Sequence, residues 1–285
     1  MRCRIALCAI ALLLASLPSL GAELFYMDHD PFSGRYLGPA GPLVISGEIA
    51  PGDYERLLSK ILQDENRFLA QNQIILASDG GDVAESMRIA TLVKSLFTGV
   101  LVGPLTGRCV SACFFIYAAA GQREADGGRL IGINRPYLVD PDAASTKTDP
   151  SLVESRALMQ VRAFLSENAV PRYLVEEMFR HASDSAYWLS AEDEKNLGYR
   201  SQSFDRYLKA KCAWDDGIER EVIAGRRSVD EFKQMLKCRA LVTRSDAHKA
   251  LLQAATRWLP GAHAKRPSAV TGGPAESVPA RSSSE

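Results

Sequence analysis

The sequence predicts an α/β domain, in which helices cover a largely parallel sheet. Short apolar runs that contain β-branched residues alternate with segments whose apolar residues recur at helical spacing. Glycine, proline, serine or aspartate follows most of these runs, and such residues end strands and begin turns. Because strands that alternate with helices are typical of parallel βαβ units, one α/β core is expected.

The predicted elements follow one another from residue 43 onward. Strands are predicted at the short apolar runs 43–49, 74–77, 99–102 and 130–133. Helices are predicted where apolar residues recur every three or four positions, at 54–69, 83–96, 111–120, 152–165 and 172–181. A last αβ unit spans 187–198. The charged chain that follows is predicted to be mostly helical.

The N-terminal segment has the pattern of a secretory signal peptide. Arg2 and Arg4 precede the continuous apolar stretch Ile5–Leu17, and Pro18–Ala22 offers a cleavage region. The apolar stretch is shorter than the roughly 20 residues that span a bilayer, so a periplasmic or secreted protein is expected. Leu20 is a poor residue three positions before a cut at Ala22. An uncleaved segment that anchors the protein to the inner membrane therefore stays open as the alternative.

Composition then divides the chain into four parts. Residues 1–22 are assigned to the signal peptide and 23–203 to the α/β domain. Residues 204–258 form a helical appendage, and 259–285, rich in Pro, Ala, Ser and Gly, are expected to be a disordered tail. Basic and acidic residues balance at 34 each, so no global field favours nucleic acid as a partner.

Four cysteines remain beyond the signal peptide, an even number that allows disulfides in an oxidising compartment. A Cys212–Cys238 bridge is predicted, closing a loop of about 27 residues across a helical hairpin. For Cys109 and Cys113 two readings stay open: a short bridge, or a buried apolar thiol at Cys113. Histidines and cysteines do not cluster at ligand spacing, so neither a metal nor a cofactor is expected.

Two short segments offer chemistry. In Ser78–Asp82 a glycine pair directly follows a predicted buried strand, where it can turn an amide N–H toward a ligand. The plainer reading is an ordinary strand-to-helix turn. Ser111 begins an apolar helix after a glycine-containing loop, where unpaired amides and the helix dipole favour negative charge. The plainer reading of Ser111 is a helix N-cap.

Taken together, these segments resemble the ClpP/crotonase superfamily, and within it the exported ClpP-like, serine-protease-related proteins of bacteria. The matching segments are VISGEIAPGD, IILASDGGDVAESMRIATLV, GRCVSACFFIYAAAGQR and IGINRP, in family order between about Leu43 and Leu197. The resemblance implies a ClpP/crotonase-like spiral of ββα units, here with a small helical C-terminal appendage. It also implies that Ser111 is the nucleophile and that the amides of Gly81 and Ala112 form the oxyanion hole. A homo-oligomer is possible by the same analogy.

The sequence departs from the family pattern at the proton acceptor. Asn134 in IGINRP stands where active relatives have histidine. A carboxamide does not accept and return a proton near neutral pH. The aspartate position is also altered: Ala186 is its nearest match, with Asp184 two residues upstream as a tentative substitute. Among the histidines, His181 is the one whose neighbourhood suits a replacement base. The plainer reading is a surface histidine at a helix C-terminus, where the helix dipole favours its positive form.

Two classes of function therefore stay open. One is a pseudoenzyme that keeps the cleft to bind an extended peptide or a protein partner. The other is a weakly active serine peptidase or esterase that uses Ser111 with Gly81 and Ala112. A third, enolate chemistry on acyl-CoA with Glu85 or Glu124, conflicts with export because acyl-CoA is cytosolic. Export also argues against an ATP-driven unfoldase as partner.

Overall fold

The computed structural model describes residues 21–29, 33–38, 41–103, 107–137, 150–215 and 217–258. The strands are β1 (Glu23–Tyr26), β2 (Leu43–Ser46), β3 (Gln73–Ala77), β4 (Gly99–Val102), β5 (Cys109–Val110), β6 (Gln122–Ala125), β7 (Ile131–Ile133) and β8 (Tyr187–Trp188). The helices are α1 (Asp53–Gln63), α2 (Glu65–Gln71), α3 (Val83–Ser95), α4 (Cys113–Ala119), α5 (Pro150–Glu167), α6 (Arg172–Arg180), α7 (Ala191–Leu197), α8 (Gln202–Cys212), α9 (Ile218–Ile223) and α10 (Val229–Trp258). Most of the predicted signal peptide, the loop after residue 137 and the predicted tail lie outside the described residues.

Two sheets organise the molecule. The larger has the order β1-β2-β3-β4-β6, in which β2, β3, β4 and β6 are parallel and β1 is an antiparallel edge. The smaller has the order β5-β7-β8, with β8 antiparallel to β7. Helices α1 and α3 connect successive parallel strands, and the predicted α/β class is confirmed.

The core lies between the sheets and helix α4. Every residue of α4 is buried, which explains why its sequence CFFIYAA is apolar on all faces. Helix α3 packs closely against it through apolar residues such as Ile89 and Val93. Because α4 is fixed on all sides, the residues just before it are held in a defined position.

Several element boundaries differ from the sequence prediction. The helix predicted over 54–69 is two helices, which meet at Asp64, where the backbone leaves the helical conformation (φ −138°, ψ 56°). Strand β2 ends at Ser46 because Gly47 has φ 92°, a left-handed conformation. The helix predicted from Ser111 begins at Cys113. Strands β1, β5 and β6 were not predicted, since β5 has only two residues and β6 reads QREA.

A capping box fixes the start of α7 beside β8. The Ser190 hydroxyl accepts the Asp193 amide, and the Asp193 carboxylate accepts the Ser190 amide at 2.8 Å. The hydroxyls of Tyr173 and Tyr187 also donate to Asp193, at 2.8 and 3.0 Å. Burial acts to raise the pKa of Asp193, but the hydrogen bonds from Ser190 and the two tyrosines hold it below its ordinary value.

Helices α8, α9 and α10 form the C-terminal region. A small cluster of buried side chains holds them together: Phe204, Leu208, Trp214, Ile218 and Met235. The predicted Cys212–Cys238 disulfide is confirmed, with a Cα–Cα distance of 5.7 Å. Further along α10, Ala247 and Leu251 join the main core, where α10 contacts α1, α2 and α3. None of the helices in the described ranges has both the length and the hydropathy needed to cross a bilayer.

Candidate active site

A cleft of about 910 Å³ opens at the carboxyl ends of β2 and β3. Ligands commonly bind at this edge of an open α/β sheet. The lining is mostly main chain and small side chains, with a few charged groups: Ser46, Gly47, Glu48, Ala77, Ser78, Asp79, Gly80, Gly81, Gly107, Arg108 and Leu130. The cleft therefore has room for another polypeptide backbone next to its own.

The glycine turn after β3 is held by hydrogen bonds that leave the Gly81 amide without an acceptor among the described residues. The Ile49 amide donates to the Gly80 carbonyl at 2.8 Å, and the Asp82 amide donates to the Ile49 carbonyl at 2.8 Å. The Gly80 amide donates to the buried Ser78 hydroxyl at 3.1 Å. Within the described part of the chain, no acceptor receives the amide N–H of Gly81.

Steric contacts require glycine at both positions 80 and 81. Gly81 has φ 134°, and a Cβ there would lie 2.1 Å from the Ile49 carbonyl oxygen. Gly80 has φ 107°, and a Cβ there would lie 2.8 Å from the Ser111 Cβ and 3.0 Å from the Ala112 nitrogen. The turn and the start of α4 are thus in direct contact.

Ser111 lies at a strained bend between β5 and α4. Its φ is 56°, a conformation that costs a non-glycine residue on the order of 1–3 kcal/mol. Its amide donates to the Gly132 carbonyl at 3.0 Å, and its side chain is only partly buried. The next amide, that of Ala112, has no acceptor among the described residues. A serine raised on a strained strand-to-helix bend is the arrangement of nucleophiles in α/β hydrolases.

A disulfide closes the Ser111 bend. Cys109 and Cys113 are bonded, with a Cα–Cα distance of 5.3 Å, and both residues are fully buried. Of the two readings of this pair, the structure supports the bridge. The bond ties the first residue of β5 to the first residue of α4, so it limits the movement of the serine between them.

Asn134 lies just beyond β7, the strand that pairs with β5 next to Ser111. It is only 6% exposed, and its Nδ2 donates to the Ser183 carbonyl at 2.8 Å. Its Oδ1 is buried and has no hydrogen-bond partner within the described residues. The position predicted for a proton acceptor therefore presents an amide whose N–H₂ is directed at a carbonyl.

His181, the histidine considered from sequence as a replacement base, is engaged elsewhere. The His181 carbonyl accepts the Arg135 amide at 2.9 Å, which places its backbone next to the Asn134 segment. Its imidazole lies 3.6 Å from a Glu177 carboxylate oxygen and packs near the Tyr187 ring. Across the described ranges, no hydrogen bond joins the Ser111 hydroxyl to an imidazole.

The carboxylates weighed from sequence have other positions. Asp184 is exposed, and the acceptor beside Asn134 is the Ser183 carbonyl rather than this carboxylate. Glu85 is buried, where it accepts the amides of Gly52 and Tyr54 and pairs with Arg88. Its role in the structure is to hold the start of α1.

An ion pair at the cleft rim was not predicted from sequence. The Arg108 guanidinium donates to Asp79 through two nitrogens, at 2.5 and 3.2 Å, and both side chains are exposed. The hydrogen bond from Arg108 holds the pKa of Asp79 below its ordinary value. Neither residue belongs to a pattern that identifies such a pair in the sequence. In the described part of the chain, His, Cys, Asp and Glu form no group suited to a metal ion.

No family model and no curated protein matches the chain. In structure it is similar to several solved proteases. A variant of the 1510-N membrane-bound stomatin-specific protease aligns at 19% identity, covering 60% of this chain and 83% of that chain, with a TM-score of 0.38. ClpP1 from Listeria monocytogenes aligns at 20% identity (56% and 88% covered, TM-score 0.36), and a variant of it at 21% (56% and 88%, 0.39). At identities and TM-scores this low, the likeness assigns no role to individual residues.

Proposed function

We propose that this protein is an exported peptide-binding pseudoenzyme, whose cleft holds an extended polypeptide without hydrolysing it. The observation that carries the proposal is the Asn134 side chain, which is buried just beyond β7, the strand that pairs with β5 next to Ser111. Its Nδ2 is a donor, already used by the Ser183 carbonyl, and its Oδ1 is a very weak base. Loss of a general base costs about 10²–10⁴ in rate, which makes peptide hydrolysis negligible.

The peptide class of ligand follows from the cleft itself. Its centre is lined by Gly47, Gly80, Gly81 and Gly107, so a ligand main chain can approach closely. Gly81 lines the cleft, and Ala112 follows Ser111 at the adjoining bend. Neither N–H has an acceptor among the described residues, so both suit a carbonyl oxygen of the ligand. The same two amides would form the oxyanion hole of a catalytic relative. In this protein they serve to fix the ligand backbone, as in the addition of a peptide to an existing sheet.

A second function is favoured by a different observation. The backbone of Ser111 is strained, and the amides of Gly81 and Ala112 have no acceptors among the described residues. This arrangement would serve a serine nucleophile. A weakly active serine peptidase or esterase is therefore the alternative. Two unpaired amides alone can retain roughly 10³–10⁴ over the uncatalysed rate.

The two disulfides support a periplasmic or secreted location, because such bonds persist in oxidising compartments. We also propose that the protein can form a homo-oligomer, and that neither nucleic acid nor an ATP-driven motor is its partner.

The test measures binding and cleavage on the same peptides. Fluorescein-labelled decapeptides covering the β-casein sequence are titrated by anisotropy and then incubated for a day and examined by mass spectrometry. We expect saturable binding of a subset of peptides, with equal affinity for wild type and Ser111→Ala and with every peptide intact. Fragments that require Ser111 would establish the hydrolase instead, and their loss in His181→Ala would identify the base. Absence of binding to every peptide would refute the peptide ligand.

A further inference from the structure

The first described residues lie against a buried carboxylate. Ala22 is fully buried, and its backbone nitrogen donates to Asp53 Oδ2 at 2.8 Å. Asp53, the first residue of α1, is itself only 2% exposed. A buried carboxylate is costly unless opposite charge and hydrogen bonds compensate it, so the groups around Asp53 decide its role.

Two further groups reach Asp53. The Ala50 amide donates to Oδ2 at 2.9 Å, and an Arg56 guanidinium nitrogen lies 2.9 Å from Oδ1. Arg56 is 47% exposed, so its charge is partly screened by solvent. Arg56 also donates to the Ala22 carbonyl, which fixes the chain at that residue from its other side.

The residue before Ala22 is pressed against the same carboxylate. A Cβ on Gly21 would lie 2.3 Å from Asp53 Oδ1, so a larger residue there would force the buried carboxylate to shift. In the sequence, a cut after Gly21 places the small residues Ser19 and Gly21 at the two positions that export peptidases read. A cut after Ala22, the boundary expected from sequence, places Leu20 there and would remove the group that donates to Asp53.

We propose that export processing hydrolyses the Gly21–Ala22 bond and that the new α-ammonium group of Ala22 forms a buried ion pair with Asp53. Water adds across the peptide bond under the action of a leader peptidase. The Gly21 carboxylate leaves with the leader, and the Ala22 amine takes up a proton. α-Amino groups ordinarily have a pKa near 8, so this amine is charged at neutral pH.

Two hydrogen-bonded residues, Ala50 and Ile49, connect the ion pair to the cleft. Asp53 holds the Ala50 amide, and the preceding residue, Ile49, exchanges hydrogen bonds with Gly80 and Asp82. The processed N-terminus therefore braces the segment after β2 that holds the glycine turn. We expect slower hydrogen exchange at the Asp82 amide when the pair is present.

The first experiment locates the cut. The full-length gene is expressed in a bacterium that exports the product, and the mature protein is examined by intact mass and N-terminal sequencing. We expect a chain that begins at Ala22. A chain beginning at Glu23, or one that keeps Met1, would overturn the proposal. This result is independent of whether the cleft binds or cleaves peptides.

The second experiment tests the ion pair. Three chains released from a cleavable tag begin at Gly21, Ala22 and Glu23, each with and without Asp53→Asn. We expect the chain beginning at Ala22 to melt about 5–10 °C above the one beginning at Gly21, and Asp53→Asn to abolish that difference. Asp28→Asn, which removes an ion pair between the exposed Asp28 and Arg67, is the control and should leave the difference intact. Equal melting temperatures for the chains beginning at Gly21 and Ala22 would overturn the proposal.

A third measurement tests the buried ion pair even if the Asp53→Asn variant does not fold. Acetic anhydride at limiting dose should modify the Ala22 amine of the native protein at least tenfold more slowly than that of the urea-unfolded protein. Equal rates would overturn the buried pair.

Discussion

Replacing Asn134 with histidine should restore part of a catalytic mechanism. Histidine Nδ1 is the same number of bonds from the backbone as asparagine Nδ2, which donates to the Ser183 carbonyl at 2.8 Å. An Nδ1–H in that place would keep this hydrogen bond. The imidazole would then carry its proton on Nδ1, leaving Nε2 free to accept the proton of the Ser111 hydroxyl.

The size of the gain follows from what the site provides. A positioned general base contributes about 10²–10⁴ in rate. The Ser183 carbonyl fixes the tautomer but carries no full negative charge to stabilise the imidazolium, and Asp184 is exposed. The gain should therefore lie at the low end, about 10². Since Asn134 Oδ1 accepts no hydrogen bond from the described residues, replacing Asn134 with histidine removes no hydrogen bond at the position of this oxygen.

Turnover of p-nitrophenyl acetate measures this gain. We expect Asn134→His to exceed wild type about 10²-fold, Asn134→Gln to match wild type, and Asn134→His with Ser111→Ala to lose the gain. Circular dichroism and melting temperature confirm that each variant is folded. A folded Asn134→His protein with unchanged turnover would refute the proposal that Asn134 occupies the place of the missing base. A gain that survives Ser111→Ala would refute the role of Ser111.

Three further changes test other parts of the structure. Gly80→Ala places a Cβ 2.8 Å from the Ser111 Cβ and should weaken decapeptide binding about tenfold or more. The control Gly128→Ala, whose Cβ meets nothing within 4 Å, should bind as wild type. Equal losses of affinity in the two variants would contradict the cleft geometry. Alanine at both Cys212 and Cys238 should lower the free energy of unfolding in urea by about 3 kcal/mol, and free thiols at these positions in unreduced protein would contradict the bridge. The folded-state pKa of Asp193 is lowered, so its ionised form contributes stability above the ordinary carboxyl pKa near 4 and loses it as pH falls. Asp193→Asn should thus melt several degrees below wild type at pH 7, with a gap that narrows below about pH 4; a gap independent of pH would contradict this cause.

Much of the fold could be predicted because its buried elements are apolar at regular spacing. The run IILA has no polar residue and is β3, and GVLV matches β4 at both ends. Strand β6 reads QREA and could not be predicted, because its main chain pairs with β4 whatever its side chains are. Likewise, the break between α1 and α2 at Asp64 depends on how α2 packs against the rest of the molecule.

The candidate site was predictable in its residue types rather than its contacts. The glycine pair, Ser111 and Asn134 were all found from short motifs. The sequence could not show that Asn134 donates to the Ser183 carbonyl, because that contact joins segments 49 residues apart. Nor could it show that Ala22 meets Asp53, since single residues of these types have no distinguishing pattern.

Labelling with a fluorophosphonate tests the central claim most directly, because this probe reacts only with a serine whose proton is removed efficiently. Wild type and Ser111→Ala are incubated with the probe, and the rate of adduct formation is followed by intact mass. We predict rates that are equal within about twofold. Rapid labelling of wild type that Ser111→Ala abolishes would show that a working base serves Ser111, and it would contradict the proposal that the cleft binds peptides without cleaving them.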